Sequence, residues 1–314
     1  MKKISIIVPI YQNELNIHRC IESLVKLNIK FNQLNYKLEI ILVEDGSTDK
    51  SYALLREYLH IKDLVIIKLT RNFGQIPAIQ AGIKYATGKY IGIISADLQD
   101  SPEHFLKMAS LLEGGSKLVI AARKSRDEGF LQSLMSKFYW GLIKRFSMKE
   151  FPAGGFDYCM FDEQVAKEID NIREKNTNIF PLIFWLGFKP EVINYTRQKR
   201  DKGKSAWTFL KKVRLTIDTI IGFTYLPTRI ISISAISTSI LAFIYSLYIL
   251  VMWFAGNKGS PDGWTTIIIL ISIIGGMILF SLGILGEYLL RILDEVRSRP
   301  NFVIDEINKN KSSK

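Results

Sequence analysis

The N-terminal part of the chain alternates short β-branched runs with longer stretches in which apolar residues recur at helical spacing. The apolar runs predict buried strands at Ile4–Val8, Leu38–Val43, Val65–Leu69, Tyr90–Ile94 and Leu118–Ala121. The amphipathic stretches predict helices at Glu14–Leu27, Thr48–Leu59, Gln75–Ala86 and Pro102–Leu112, the last capped by Ser101. This alternation is typical of an α/β domain with a doubly wound, mostly parallel sheet, which binds ligands beyond the carboxyl ends of its strands.

Two long apolar runs follow near the C-terminal end. Residues Ile230–Phe254 and Thr265–Gly286 contain no charged side chain, and a membrane-spanning helix needs about 20 mainly apolar residues. Basic residues flank the pair on its outer sides: Lys211, Lys212, Arg214 and Arg229 before it, and Arg291, Arg297 and Arg299 after it. The positive-inside rule then predicts a transmembrane hairpin, with spans of about 230–254 and 265–288 and both flanks in the cytoplasm. The alternative is a pair of core helices buried in a soluble protein.

These patterns divide the chain into four predicted parts. They are a cytoplasmic α/β domain (1–200), a juxtamembrane amphipathic segment (201–228), the hairpin (229–290) and a cytoplasmic tail (291–314). The first apolar stretch stops at Pro9 and is too short for a secretory signal, so the N-terminus is expected in the cytoplasm. The polar end of the tail, Asn308–Lys314, is expected to be disordered.

Aromatic and basic residues are mixed in two further stretches, Phe130–Ser147 and Trp207–Leu226. This composition is typical of helices lying in a membrane interface, although helices packed against the sheet would also fit.

The net charge of +12 favours anionic partners, and because much of it flanks the apolar runs, a membrane surface is favoured over nucleic acid. Cys20 and Cys159 have no metal-ligand spacing and are expected to be buried thiols.

Conspicuous polar residues follow the predicted strands. Asp97 comes directly after a buried strand and is the best candidate ligand for a divalent cation, with the amide oxygen of Gln99 nearby. Glu44 or Asp45, before the Gly46 turn, can accept hydrogen bonds from a ribose or a base. Arg71 and Arg123 also follow strands, where a guanidinium suits phosphate oxygens, although each alone is better explained as a surface charge.

Four motifs in order carry a resemblance to a known family: IIVPIYQNE, VEDGSTD, RNFGQIPAIQAG and ADLQDSPE. The chain resembles the inverting family 2 glycosyltransferases, which have the GT-A fold. Within them it is similar to the branch that transfers sugars to polyisoprenyl phosphates, which includes dolichyl-phosphate mannose synthase and bacterial bactoprenol glycosyltransferases with two C-terminal spans. The resemblance covers nearly the whole chain.

The resemblance implies a role for each matched residue. Nucleotide binding is assigned to Pro9, Tyr11, Glu14, Asp45, Arg71, Asn72 and Gln75. Metal binding is assigned to Asp97 and Gln99, with Mg²⁺ or Mn²⁺ as cofactor, and catalysis to Asp97, Asp157 and Arg123. The basic segment RQKRDKGKSAW implies an acceptor-phosphate site at Arg197, Arg200, Lys204 and Ser205, together with Arg126.

The implied reaction is metal-dependent transfer of one sugar, with inversion, from a nucleotide sugar to an undecaprenyl phosphate-like lipid at the cytoplasmic face. Uridine is the base that the resemblance favours, and a homo-oligomer packed through the spans is consistent with it. One departure is Ser95, which stands where the family usually has a carboxylate and implies a weaker metal site. Asp157 matches a proposed base, with Asp162 as its neighbour; we expect it to position the acceptor, because a phosphate monoester is largely dianionic at neutral pH.

Two alternatives compete with this interpretation, and one of them stays open. A processive polysaccharide synthase would carry a QxxRW segment and more spans, and neither is in this sequence. A catalytically weak membrane-anchored sensor of nucleotide sugars, or a partner subunit, would retain the same fold. This second alternative stays open because Ser95 stands where the family usually has a carboxylate.

Overall fold

The computed structural model describes residues 1–97, 99–123, 152, 156–172, 174, 178–195, 226–255 and 263–310. The chain folds into two compact units, one formed by Met1–Thr219 with Pro300–Lys314 and the other by Ile220–Arg299. The acceptor-phosphate residues Arg126, Arg197, Arg200, Lys204 and Ser205 lie outside the described residues, as do both predicted interfacial helices apart from Leu226.

The first unit is built on an eight-stranded sheet within these described residues. Its strands are β1 (Lys2–Ile10), β2 (Tyr36–Glu44), β3 (Leu64–Leu69), β4 (Tyr90–Ile93), β5 (Leu118–Arg123), β6 (Cys159–Asp162), β7 (Pro190–Tyr195) and β8 (Ile304–Lys309). The spatial order is β7-β5-β6-β4-β1-β2-β3-β8. Strands β6 and β8 run antiparallel to their neighbours, and the other pairs are parallel.

Helices connect the strands and cover the sheet. They are α1 (Ile17–Gln33), α2 (Ser51–Glu57), α3 (Gln75–Tyr85), α4 (His104–Glu113), α5 (Glu163–Asn171) and α6 (Ile179–Trp185). Strands β1 to β4 consist mainly of apolar residues because both faces of a parallel sheet are buried. The predicted α/β class and the five predicted strands are confirmed, and Cys20 and Cys159 are buried free thiols as expected.

One sequence prediction in this unit is confirmed in part and another is wrong. Helix α4 begins at His104, later than predicted, but Ser101 does act in the turn before it, where its Oγ accepts from the Glu103 N–H at 3.4 Å. Residues Asn308 and Lys309 are not disordered, because they form the end of β8 against β3. This strand carries few buried side chains, so its sequence has no local apolar signal.

The second unit contains helices α7 (Leu226–Phe254) and α8 (Gly263–Val296). Both are long and apolar enough to cross a membrane, in windows at Pro227–Tyr245 and Ile273–Val296. Their large apolar side chains are mostly exposed where the structure describes them, for example Phe243 and Leu279, each 71% exposed. Such exposure is the reverse of what core helices of a soluble protein would have, so it favours association with a membrane over that alternative.

Candidate active site

Seven strand ends bring the predicted motifs to one edge of the sheet. The parallel strands β1 to β5 and β7 place their carboxyl ends there, and antiparallel β6 begins there, since Cys159 pairs with Ile93 at the end of β4. The residues assigned to nucleotide binding, metal binding and catalysis therefore lie at or next to the strand ends on this edge. Asp162 instead pairs with Tyr90 at the opposite edge and caps α5, accepting from the Val165 N–H at 3.0 Å. Of these two neighbouring carboxylates, Asp157 precedes β6 at the edge that carries the motifs, and Asp162 lies at the opposite edge.

Asp45 connects the loops after β2 and β3. Its side chain is buried, and its two oxygens accept hydrogen bonds from the backbone N–H groups of Phe73 at 2.7 Å and Gly74 at 2.9 Å. Burial raises the pKa of Asp45 to about 6; the two N–H bonds oppose this shift, and the charge of Glu44 adds to it. Asp45 therefore holds the backbone turn that leads into α3.

Gly46 lets the same two loops approach each other. It has φ +63°, a left-handed conformation that favours glycine. A Cβ at this position would lie 2.3 Å from the Arg71 carbonyl carbon and 2.4 Å from the Asn72 nitrogen. The buried carboxylate of Glu44 shapes the turn by accepting from the Ser47 N–H. The pair Glu44–Asp45 is thus engaged by the protein's own backbone.

The loop after β1 is joined to the loop after β2 by hydrogen bonds. Glu14 accepts from the Lys50 N–H at 3.1 Å and donates its own N–H to Asp49 at 3.3 Å. Gln12, at φ +49°, donates its N–H to Ser47 Oγ at 3.1 Å. These bonds show that Glu14 fixes the geometry of the edge, a role that the sequence did not indicate.

The other residues assigned to the nucleotide surround this framework. Pro9 lies in β1 and Tyr11 follows it, both half-buried, while Gln75 is the first residue of α3. Arg71 and Asn72 are exposed, and the Arg71 guanidinium lies 4.3 Å from the centroid of the Phe73 ring. A cation over an aromatic face is held without losing its solvent exposure.

Asp97 follows β4 and is half-buried. Its Oδ1 accepts from the Gln99 N–H at 3.3 Å, which fixes the loop that carries both candidate metal ligands. The Cys20 thiol lies nearby in α1: burial, and then the charge of Asp97, raise its pKa to about 12.

In the described part of the chain no three His, Cys, Asp or Glu side chains cluster as a metal site. One carboxylate and one amide oxygen fit a hard cation such as Mg²⁺, which takes its other ligands from substrate phosphates and water.

A group of aromatic side chains beside Asp97 was not anticipated from the sequence. The buried Asp100 accepts from the Tyr195 hydroxyl at 2.5 Å, and the Tyr158 hydroxyl donates to the Ser101 carbonyl at 2.9 Å. Burial, with the nearby charge of Asp100, raises the pKa of Tyr158 well above its usual value. Single tyrosines at strand ends carry no motif, so nothing in the sequence marks this group.

Asp157 immediately precedes Tyr158 at the same edge. Burial, and then the charge of Asp157, raise the pKa of the Cys159 thiol, so the carboxylate lies close to the start of β6. Arg123 is the last residue of β5 and so also reaches this edge.

Comparison with known proteins identifies the family. The profile of glycosyl transferase family 2 matches residues 5–170. The uncharacterized glycosyltransferase YkcC of Bacillus subtilis is 33% identical over 96% of this chain and 93% of its own length.

More distant relatives are also similar over nearly their full length. The prophage bactoprenol glucosyl transferase homolog of Escherichia coli is 29% identical over 98% of this chain and all of its own length. The undecaprenyl-phosphate 4-deoxy-4-formamido-L-arabinose transferase of Proteus mirabilis is 28% identical over 98% and 94%. Among solved structures, the mannosyltransferase PcManGT from Pyrobaculum calidifontis is 15% identical over 89% of this chain and 86% of that chain, with a TM-score of 0.45.

The family profile covers more than half of the chain, and the ordered motifs lie on the mostly parallel sheet that the GT-A fold requires. The chain is therefore a glycosyltransferase that belongs to glycosyl transferase family 2.

Proposed function

We propose that this enzyme transfers a single sugar from a nucleotide sugar, with a UDP-sugar as the favoured donor, to an undecaprenyl phosphate-like lipid. One observation supports the proposal most directly: the loops assigned to nucleotide binding and the loop that carries Asp97 lie at the same edge of the sheet. The same chain has two helices that are long and apolar enough to cross a membrane. The relatives named for bactoprenol and undecaprenyl phosphate match almost the whole chain, which supports a lipid-phosphate acceptor. The product would be a lipid-linked sugar for the cell envelope.

In this proposal the donor lies over the hydrogen-bonded loops after β1, β2 and β3. Pro9, Tyr11 and the Asp45 region receive the nucleoside, and Arg71 lies where it can approach phosphate oxygens. Asp97 and Gln99 hold a divalent cation. A bound Mg²⁺ or Mn²⁺ would neutralise charge that develops on the departing diphosphate.

The proposed chemistry is an in-line displacement. An oxygen of the lipid phosphate forms the new bond to the anomeric carbon, and the bond to the nucleoside diphosphate breaks, with its electron pair leaving on the diphosphate oxygen. Attack from the opposite face inverts the anomeric configuration. The acceptor needs no proton removed, because a phosphate monoester with a second pKa of about 6 is largely dianionic at pH 7. Asp157 and Arg123 then position the acceptor, and Asp157 is not required as a base.

The pairing of β3 with β8 supports a hairpin whose two flanks lie on the same side of the membrane. Strand β3 precedes helices α7 and α8 in the chain and β8 follows them, yet the two strands pair, as at Val65 and Lys309. A chain that crosses a bilayer between two strands of one sheet must cross it an even number of times. We place the catalytic unit and both outer flanks of the hairpin in the cytoplasm.

The test is transfer of radiolabel from a panel of UDP- and GDP-sugars to undecaprenyl phosphate, using the full chain in detergent with Mg²⁺ or Mn²⁺. We expect a labelled lipid product with one donor, and loss of at least about 100-fold in rate for Asp97→Asn, which removes the metal-binding charge. The matched control is Asp63→Asn, since Asp63 pairs with Lys37 at 3.0 Å at the opposite edge of the sheet. Asp157→Asn should retain turnover near that of the unaltered enzyme.

The outcomes separate the alternatives. A folded protein that binds a nucleotide sugar but labels no lipid with any donor would favour the sensor or partner-subunit alternative. Equal rates for Asp97→Asn and Asp63→Asn would contradict the proposed metal site, and complete inactivity of a folded Asp157→Asn would make Asp157 the base.

A further inference from the structure

A buried hydrogen bond joins the loop after β4 to the end of β7. The Tyr195 hydroxyl donates to Asp100 Oδ1 at 2.5 Å, and the two residues are 4% and 2% exposed. Burying a carboxylate is unfavourable unless hydrogen bonds compensate for the lost water, so this contact strongly restricts both partners. Asp100 is only three residues beyond Asp97.

Tyr158 holds the same loop from a second side. Its hydroxyl donates to the Ser101 carbonyl at 2.9 Å. Its ring packs edge-on against Phe105 with centroids 4.8 Å apart, and against Tyr195 at 6.0 Å. Two tyrosines from different strands, in contact with each other, therefore fix two successive residues of the loop that carries Asp97.

Each of these segments lies next to a residue of the proposed reaction. The loop after β4 carries Asp97 on the donor side, and Tyr158 follows Asp157 on the acceptor side. Tyr195 is two residues before Arg197, the first residue of the basic segment assigned to the acceptor phosphate. The buried contact thus connects the loop that carries Asp97 with the strand that precedes this basic segment in the sequence.

We propose that Tyr195 and Asp100 are a positioning pair that sets the acceptor in register with the donor sugar. This inference rests on the proposed function. Neither side chain is assigned a contact with the reacting atoms, so the pair acts through the segments that it joins. Reacting atoms must be held within a fraction of an ångström, and a misplacement of about 1 Å can cost on the order of 100-fold in rate.

The first experiment compares Tyr195→Phe with Tyr52→Phe in the full-length enzyme in detergent. Tyr195→Phe keeps the ring and removes the hydroxyl. Tyr52→Phe is the matched control, because the Tyr52 hydroxyl also donates to a carboxylate, that of Glu306, in the β3–β8 region. We expect kcat for lipid transfer to fall about 10-fold in Tyr195→Phe, while UDP affinity measured by calorimetry stays within about twofold, as expected for a contact remote from the nucleotide loops.

The second experiment tests whether the two residues act together. Asp100→Asn keeps an oxygen that can accept from Tyr195 but removes the charge that strengthens the bond, so kcat should fall by a smaller factor, about threefold. The double variant should be no slower than Tyr195→Phe alone, because the same contact is lost in both. If Tyr195→Phe does not fold, the kcat of Asp100→Asn decides, and an unchanged kcat overturns the proposal.

Three results would overturn the positioning pair while leaving the proposed function intact. They are equal kcat for Tyr195→Phe and Tyr52→Phe, losses that simply add in the double variant, or a loss of UDP affinity as large as the loss of rate. Absence of transfer by the unaltered enzyme with every donor would instead overturn the proposed function itself.

Discussion

The Asp45 carboxylate holds the backbone of Gly74, accepting its N–H at 2.9 Å with one oxygen while the other accepts from Phe73 at 2.7 Å. The residue chosen from the sequence as a nucleotide contact is therefore also the anchor of the turn before α3. Each carboxylate oxygen has a second lone pair, so both roles are chemically compatible.

Asp45→Asn should disrupt this turn. An amide offers one acceptor oxygen, and its NH₂ group faces the second backbone N–H, so one hydrogen bond is replaced by a contact between two donors. Leaving a buried donor unpaired costs about 1–3 kcal/mol. We expect the affinity for UDP, measured by calorimetry, to fall at least about 10-fold. An affinity equal to that of Asp63→Asn would contradict a role for Asp45 in this turn.

Stability should depend on pH through the same carboxyl group. The pKa of Asp45 is about 6 in the fold against 3.8 for an unperturbed Asp, so between these values the folded state binds more protons than the unfolded state. The contribution of Asp45 to stability therefore rises as pH falls from about 6 to about 4, by on the order of 2 kcal/mol. The measurement is the thermal midpoint of the unaltered enzyme minus that of Asp45→Asn across this range, and a flat difference would contradict the assignment.

The titration of Glu39 changes stability with pH in the opposite direction. Subtracting the thermal midpoint of Asp45→Asn from that of the unaltered enzyme cancels this effect, because Glu39 is present in both proteins. Burial raises the pKa of Glu39, but hydrogen bonds from Lys3, Ser5 and Thr87 outweigh it and lower the pKa overall. Its contribution to stability is present at neutral pH and is lost as pH falls through the folded-state pKa. Glu39→Gln should therefore destabilise the protein most at neutral pH and least in acid, as thermal midpoints would show.

Gly46→Ala should be severe, because the added Cβ would lie 2.3 Å from the Arg71 backbone and the residue must keep φ +63°. We expect a loss of stability of roughly 3 kcal/mol or more, and loss of UDP binding. Gly115→Ala is the matched control: it also has a positive φ, +105°, but nothing lies within 4 Å of its Cβ position. Similar thermal midpoints for the two variants would mean that the close approach at Gly46 is easily relieved.

Deleting residues 304–314 should expose the edge of β3. The strand would lose its pairing with β8, together with the ion pair of Lys68 and Asp305 at 2.6 Å. Unpaired strand edges promote association between chains. We expect a thermal midpoint lower by at least about 4 °C and larger particles in light scattering, whereas deletion of residues 311–314 alone should change neither. Identical behaviour of the two truncations would contradict a structural role for β8.

The sequence predicted those parts of the fold that carry a local signal. Strands β1 to β4 consist mainly of apolar residues, because both of their faces are buried, and the motifs follow them directly. Strand β8 was missed because it is a half-exposed edge strand whose partner is distant in the chain.

The site was predictable to a similar extent. Residue type and position after a strand placed Asp45 and Asp97 at the edge where the structure has them, whereas Asp157 was assigned through the family resemblance alone. The internal hydrogen bonds of Glu14 and the contact of Tyr195 with Asp100 depend on the meeting of separate loops, which no single segment encodes.

The pairing of β3 with β8 also orders events during synthesis. Val65 emerges from the ribosome early, but its partner Lys309 follows both apolar helices. The edge of β3 therefore stays unpaired while α7 and α8 are translated, and only then can the last strand of the sheet add. Pairings so distant in sequence form late and slowly. The sheet is therefore completed only after the whole of the second unit has been synthesised, so a chain truncated within that unit also lacks the last strand of its catalytic sheet.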